Sequence, residues 1–463
     1  MHDLYGVLGV NVRGLFNVIQ HRLRFFYSSA FGFYFGMLAL VLVYLTLAML
    51  YILYTPAWQN PDEPAHYNYT RHLVETGSIP VLESNDYNQE YLVDIVSRRF
   101  PPELSTDSLR YEGHQPPLYY LLQVPIYRSA NGSLLAMRVT SAIIGALIVI
   151  VSGLAAWEYY NPQVPMALAT AGVVAFIPQH VAMLASVNND SLAELWMMVG
   201  FWLLLRMPLQ PSVNAYRLLG VVLGLAFLTK ATAYILVFPI LMAVGFDWRA
   251  GRIKLSALGV VLLPALLLGG VWWVRNCLVY GWPDVMGLLR HNAVVVGQPR
   301  TSDWLREYGV LEVVTRMWNT TFNSFWGQFG WMSVPMSRRV YRLLSVGCAA
   351  IFVGLLFNKS GPARGLRLRH NQVLASGAVG TLLAYFYYNF SFVQHQGRYL
   401  FPALLPLAVC ATRGLEGLVS KLFTSRVLAP KYSSWLPLIL VMTLIGLCVW
   451  ALIVCVIRGL GGA

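Results

Sequence analysis

Residues 31–66 read FGFYFGMLALVLVYLTLAMLYILYTPAWQNPDEPAH: an uncharged apolar run over 31–54, then two adjacent carboxylates, Asp62 and Glu63. An apolar run of this length forms a helix that crosses a hydrocarbon core of about 30 Å. The acidic pair therefore emerges at a membrane surface. The same rhythm continues through the chain of 463 residues, of which 57% are hydrophobic and 11% charged. A soluble protein carries about 25% charged residues, so lipid is the solvent for most of this surface. In lipid each backbone group must pair within its own segment, which makes the runs helices. The alternating strands of a transmembrane barrel are missing.

The reading outward from 31–54 gives about eleven spans in all, an all-α polytopic membrane protein. The others lie near 134–156, 164–185, 191–206, 216–229, 231–246, 255–275, 340–357, 372–390, 399–413 and 435–457. The stretch 216–246 is read as two short helices rather than one. A single helix would put Arg249, Arg252 and Lys254 outside and invert the charge bias of every later loop. Two helices of about 15 residues span only about 22 Å each, so their turn at Thr229-Lys230 lies beneath the outer surface, at the floor of an outward-opening hollow.

Residues 1–30 carry Val7, Val10, Leu15, Ile19, Leu23 and Phe26 at near-helical spacing, mixed with Arg13, Arg22 and Arg24. They are expected to form an amphipathic helix on the cytoplasmic surface. No signal-peptide layout opens the chain, so the first span is expected to be retained. Basic residues gather in the loops around 206–217, 247–254, 358–370 and 413–431. The positive-inside rule then puts the N-terminus in the cytoplasm and the C-terminus outside. The net charge of +13 is accounted for by these loops, and no aromatic-and-basic motif of a nucleic-acid module occurs. None of the five cysteines has metal-ligand spacing. No other metal motif is seen, although a divalent ion is not excluded; no cofactor is called for.

Two long loops remain outside, 55–133 and 276–339. The first holds ten acidic residues, five arginines and no lysine. Loops of such length in a compact fold are commonly functional. In the first, an ionised carboxylate at the membrane surface suits a general base for a hydroxyl nucleophile. Asp62 and His66 share a helix face, while Glu63 points about 100° away, so Asp62 is the preferred base of the pair. Helix capping is the structural alternative for both acids. His114, in EGHQPPLYY at 112–120, can orient a phosphate or a carboxylate, or be a buried histidine satisfied by backbone. Asn189 and Asp190 open a span, where Asp190 is also an N-cap candidate. Lys230, Arg275 and Arg398 flank apolar runs on the outer side, and together would hold an anionic headgroup. Trp318, Phe325, Trp326, Phe329 and Trp331 in the second loop either stack on sugars or pack that loop down.

These residues resemble a known pattern. The acidic pair after the first span is similar to that of the GT-C superfamily of membrane glycosyltransferases. PDEPAH at 61–66 and HQPPLYY at 114–120 resemble more closely a bacterial family of predicted membrane proteins related to protein O-mannosyltransferases and aminoarabinose transferases. SVNND at 186–190, LTK at 228–230, WWVRN at 272–276 and QGRYLFP at 396–402 follow in that family's order. The mannosyltransferases usually have His-Pro-Pro-Leu, without the inserted Gln115. The resemblance implies a GT-C fold in a bacterial plasma membrane, with the active site facing outside. It implies a polyprenyl-phosphate sugar as donor, a glycan, lipid or protein acceptor, and inversion at the anomeric carbon. Asp62 and Glu63 would then be catalytic. Lys230, Arg275, Arg398, Tyr399 and His114 would bind the donor phosphate, and His66, Asn189, Asp190 and Gln396 the substrates. A transporter or flippase of lipid-linked sugars is the alternative, since buried charge and short spans would serve it too.

Overall fold

The computed structural model describes residues 30–209, 211–357, 365–422 and 436–461. The amphipathic helix expected over 1–30 falls, but for Ala30, outside the described residues. The first apolar run forms α1 (Ala30–Tyr54). The loop after it folds into α2 (Glu63–Thr76), α3 (Gln89–Ser97), a 3-10 turn (Tyr111–His114) and α4 (Leu118–Ser129). The apolar runs then give α5 (Leu134–Tyr160), α6 (Val164–Ala175), α7 (Pro178–Leu184), α8 (Asp190–Arg206), α9 (Val213–Phe227), α10 (Val237–Arg249) and α11 (Ser256–Tyr280). The second loop holds α12 (Leu288–Val294), α13 (Thr301–Trp326) and a two-stranded hairpin, β1 (Gln328–Phe329) with β2 (Val334–Pro335). Then come α14 (Arg338–Phe357), α15 (Gly365–Ser391), α16 (Leu404–Leu422), α17 (Leu436–Ala451) and α18 (Arg458–Leu460).

Among the described residues seven helices are long and apolar enough to cross a membrane, or eight if the bent pair α6–α7 is one span. The expected span 164–185 is that pair, broken by 65°. Pro178 explains the break, because proline has no backbone N–H to continue the ladder. Every residue of α6 is buried, and it packs on α1, α5, α16 and α17. It is the centre of the bundle. Elsewhere close crossings depend on small residues. A Cβ at Gly354 on α14 would stand 1.9 Å from the Gly414 carbonyl oxygen on α16, so a larger residue there would force the two helices apart.

The stretch 216–246 is two antiparallel halves. Tyr216 near the start of α9 donates to Asp247 near the end of α10 at 3.2 Å, so the chain reverses between them. The reversal comes at Leu228–Lys230, followed by a 3-10 segment (Ala231–Leu236). The Leu228 carbonyl accepts the Leu118 N–H at 3.0 Å, which places the turn at the end of the bundle that carries the loops. At the opposite end Arg369 and Arg252 pair with the buried Asp247, at 3.1 and 3.3 Å.

The two long loops dock on each other. Arg275 donates to the Pro80 carbonyl at 2.7 Å, Arg290 to Leu82 at 2.8 Å, and Leu82 N–H to Tyr280 at 3.1 Å. The hairpin reaches back through Trp331, whose indole N–H donates to the Trp58 carbonyl at 2.9 Å. Trp331 therefore packs the second loop against the first, and Phe325, Trp326 and Phe329 are at most partly exposed, whereas Trp318 is left exposed.

Candidate active site

Asp62 heads α2 with φ +65° and ψ −3°, in the left-handed region that aspartate tolerates better than most residues. A capping aspartate would have extended backbone and would accept a helix N–H. Asp62 does neither, and its carboxylate turns away from the helix. One oxygen accepts Arg398 Nη2 at 2.6 Å, and the other accepts the Tyr111 hydroxyl at 3.0 Å. Burial works to raise its pKa, but Arg398, by charge and hydrogen bond, and Lys230 outweigh it and hold the carboxyl below its usual range. Asp62 is thus an ionised acid beside a cation.

Arg398 sits on a 3-10 segment (Gly397–Ala403) laid directly on α13. Gly397 allows this: its N–H donates to Ser324 Oγ at 2.8 Å, and a Cβ there would stand 2.2 Å from the Phe325 nitrogen. The Arg398 side chain is 8% exposed. Its Nε and Nη1 make no hydrogen bond to the protein, and the Tyr399 ring centroid lies 5.3 Å from the guanidinium carbon. A buried guanidinium with two unused donors has capacity for an oxyanion.

Lys230, in extended backbone after the reversal, places Nζ 2.7 Å from Asp190 Oδ1. The expectation that Asp190 caps its helix fails in detail. Asn188 Oδ1 takes the Asp190 N–H at 2.8 Å, so the Asp190 carboxylate is free to meet Lys230. Asn189 donates to the Thr229 carbonyl at 3.4 Å and ties α8 to the reversal. His66 Nδ1 lies 2.8 Å from the Tyr120 hydroxyl, and burial first, Lys230 second, push its pKa down to about 3. It stays neutral at physiological pH.

Other expected site residues are placed differently. Glu63 does not face this cluster. It is fully buried, with its two oxygens 2.8 and 2.6 Å from Arg138 Nε and Nη2, and it also accepts the Val187 and Trp58 N–H groups. Such a carboxylate is a structural clamp. Arg275 is likewise apart, spent on the Pro80 carbonyl and stacked on Trp272 and Tyr280. Gln396 donates to Gln394 at 2.8 Å and supports the loop before Arg398. His114 is buried against His291, ring centroids 4.5 Å apart, with Nδ1 3.2 Å from the Tyr111 carbonyl oxygen. Burial and His291 hold its pKa well down, so it is a neutral prop behind Tyr111.

The sequence reading passed over Tyr111 and Glu112. Glu112 is pushed up to about 7, by burial first and by the Asp62 charge second, and its Oε2 has no partner. The unfolded carboxyl titrates near 4.3, so between there and about pH 7 the folded state binds the extra proton and stability falls as pH rises. Glu112→Gln is therefore expected to unfold with the wild type at pH 4 but at higher temperature than it at pH 8. A thermal-unfolding gap unchanged between the two pH values would mean that folding does not raise the Glu112 pKa.

A narrow crevice of about 10 Å³, roomy enough for about one water, opens beside this cluster; Asp190, Arg398 and Tyr399 line it, and neither Lys230 nor Asp62 does. The two cations of the cluster, Arg398 and Lys230, are paired with Asp62 and Asp190. A phosphate would have to compete with Asp190 for Lys230, while Arg398 still offers Nε and Nη1. Among the described residues no group of three or more His, Cys, Asp or Glu is placed to hold a metal ion.

Residues 96–407 match the family described as "Predicted membrane protein (DUF2142)". Asp62 precedes that stretch. The chain is 26% identical over 173 residues to the lipopolysaccharide core galacturonosyltransferase RgtB of Rhizobium johnstonii, covering 35% of this chain and 34% of the relative. It thus spans about a third of that relative's length. In structure it is similar to ArnT of Cupriavidus metallidurans bound to undecaprenyl phosphate, with TM-score 0.51, 16% identity, and coverage of 93% of this chain and 74% of that one. The Archaeoglobus fulgidus oligosaccharyltransferase, tethered to an acceptor peptide containing the NVT sequon, gives TM-score 0.50 and 12% identity, covering 89% of this chain and 54% of that one. At these identities the likeness is one of fold. That fold is GT-C.

Proposed function

The chain belongs to the family described as "Predicted membrane protein (DUF2142)", and from that premise we propose that it is a GT-C glycosyltransferase moving a sugar from a polyprenyl phosphate to an acceptor hydroxyl at the extracytoplasmic face. The observation that carries the reading is the contact between Arg398 and Asp62, an anion-binding group 2.6 Å from an ionised acid. Phosphate oxygens of the donor would take the unused Nε and Nη1 of Arg398, and Lys230 would add a second charge. With the phosphate charge beside the guanidinium, Asp62 loses part of the field that depresses its pKa and becomes a stronger base.

The acceptor oxygen then attacks the anomeric carbon from the face opposite the phosphate. The bond from that carbon to the phosphate oxygen breaks, the polyprenyl phosphate leaves with the electron pair, and Asp62 takes the hydroxyl proton. The configuration inverts. Arg398 and Lys230 stabilise the charge that develops on the leaving oxygen, which is the term that accelerates the step. The relative RgtB, a galacturonosyltransferase by name, supports sugar transfer, and the undecaprenyl-phosphate complex of ArnT supports the donor class.

The test uses purified protein in lipid nanodiscs with a polyprenyl-phosphate sugar and candidate acceptors. Free polyprenyl phosphate should appear with the wild type. Lys230→Ala removes a charged contact worth about 1.5–3 kcal/mol, so donor affinity should fall about ten- to hundredfold while acceptor affinity holds. An unchanged donor affinity would remove Lys230 from the phosphate site. Transfer of intact donor between leaflets of a vesicle without cleavage would make the chain a carrier instead.

A further inference from the structure

A second hollow, of about 270 Å³, lies in the first loop, along the same helix that carries Asp62. It approaches the lower end of the range of small-ligand pockets. Asn68, Tyr69 and His72 of α2 form one side, and Gly113, between Glu112 and His114, closes the end towards the cluster. By helix rise, these α2 residues stand about 9–15 Å along the axis from Asp62.

The lining has two characters. Pro80 and Val81 supply an apolar wall, with Val81 43% exposed. Facing it are His72, Glu83 and the Asp86–Arg110 ion pair at 2.9 Å. Both Asp86 oxygens are engaged, since the second accepts the Glu83 N–H at 2.8 Å. That leaves the exposed Glu83 as the uncommitted carboxylate, an acceptor for hydroxyl donors. Burial and Arg110 depress the His72 pKa and keep that ring neutral. Two carboxylates against one guanidinium leave a net charge of −1, which repels phosphates and uronates. An apolar wall opposite hydroxyl acceptors is the complement of a sugar ring, which has an apolar face and a polar edge.

We infer that this hollow is a subsite for uncharged saccharide rings of the acceptor, holding a glycan along α2 so that its terminal hydroxyl reaches Asp62. The inference rests on the glycosyltransferase reading and narrows its acceptor to a hydroxylated, non-anionic glycan. It also explains why the loop after α2 is held so firmly to the second loop through Pro80 and Leu82. Those bonds fix the wall that a sugar would touch.

The test measures saturation-transfer NMR on the full chain in nanodiscs, with maltotriose, cellotriose and mannotriose as uncharged probes and trigalacturonic acid as the anionic one. At least one uncharged trisaccharide should bind, and the uronate should not. Ser78→Trp, which fills the hollow from an exposed position, should abolish that binding, and Glu83→Gln should weaken it at least fivefold, with unfolding temperatures unchanged. Asp62→Asn should leave trisaccharide binding intact while donor cleavage is lost, which separates this subsite from the catalytic assignment. No binding by any uncharged probe, preference for the uronate, or binding untouched by Ser78→Trp would each overturn the subsite. Absence of donor cleavage by the wild type with trisaccharide binding retained would overturn the enzyme reading and leave a glycan-binding site.

Discussion

Asp62→Asn should reduce sugar transfer by about 10²–10⁴-fold, the usual contribution of a positioned general base, while the protein folds as before. Asparagine is the right replacement because it too tolerates the left-handed backbone at this position, which alanine would not. Its amide oxygen can still accept the Tyr111 hydroxyl. What it cannot do is take a proton or hold Arg398 by charge. The variant should therefore show a divided result. Turnover falls, yet donor affinity holds or rises, because the guanidinium no longer shares its charge with a carboxylate when it binds phosphate. Release of polyprenyl phosphate gives the first quantity, and direct binding of donor or of free polyprenyl phosphate gives the second. Equal turnover by variant and wild type would remove Asp62 as the base. A parallel loss of turnover and donor affinity would mean that Asp62 serves only to place Arg398.

The fold and the site were legible in the sequence to different depths. The apolar runs and the charge bias of the loops carried the helices, including the reversal at Lys230, because membrane insertion is itself governed by those two quantities. The bend at Pro178 was also written there, yet a hydropathy reading averages over it. The site was harder. Asp62 and Glu63 are neighbours of the same chemistry, and their fates are decided by partners 336 and 75 residues away. Helical geometry pointed them apart but could not say which faced a cation and which a clamp. Arg138 drew no notice because it stands in an apolar run and its partner cannot be read locally. Arg275 matched Lys230 and Arg398 in type and position, and only the docking of the two loops turned it aside. Tyr111 and Glu112 carry no local signal of their own. Their importance comes from a 3-10 turn that brings them over Asp62.

Glu63→Ala should lower stability by about 3–5 kcal/mol, the cost of leaving a buried charge without its partner. Arg138 is the reason. Its side chain is 4% exposed, and besides Glu63 it donates to the carbonyls of Ile52, Thr55 and Pro56 at 3.3, 2.7 and 3.1 Å. The clamp thus gathers the end of α1, the turn after it, α2 and α5, while Glu63 also holds the backbone before α8 through Val187. Without the carboxylate, Arg138 keeps its charge in a site that water cannot reach. The double variant Glu63→Leu, Arg138→Met should recover most of that loss, since apolar residues of similar volume replace a buried ion pair at little or no cost. Recovery of stability need not restore transfer, because α2 begins at Glu63 and its register aims Asp62. The expected pattern is therefore low stability in the single variant, near wild-type stability in the double one, and reduced transfer in both. Calorimetric or denaturant unfolding in detergent reads the first two, and polyprenyl phosphate release the third. A Glu63→Ala protein that unfolds with the wild type but has lost all transfer would return Glu63 to the chemistry and make Asp62 one of two acids that act there.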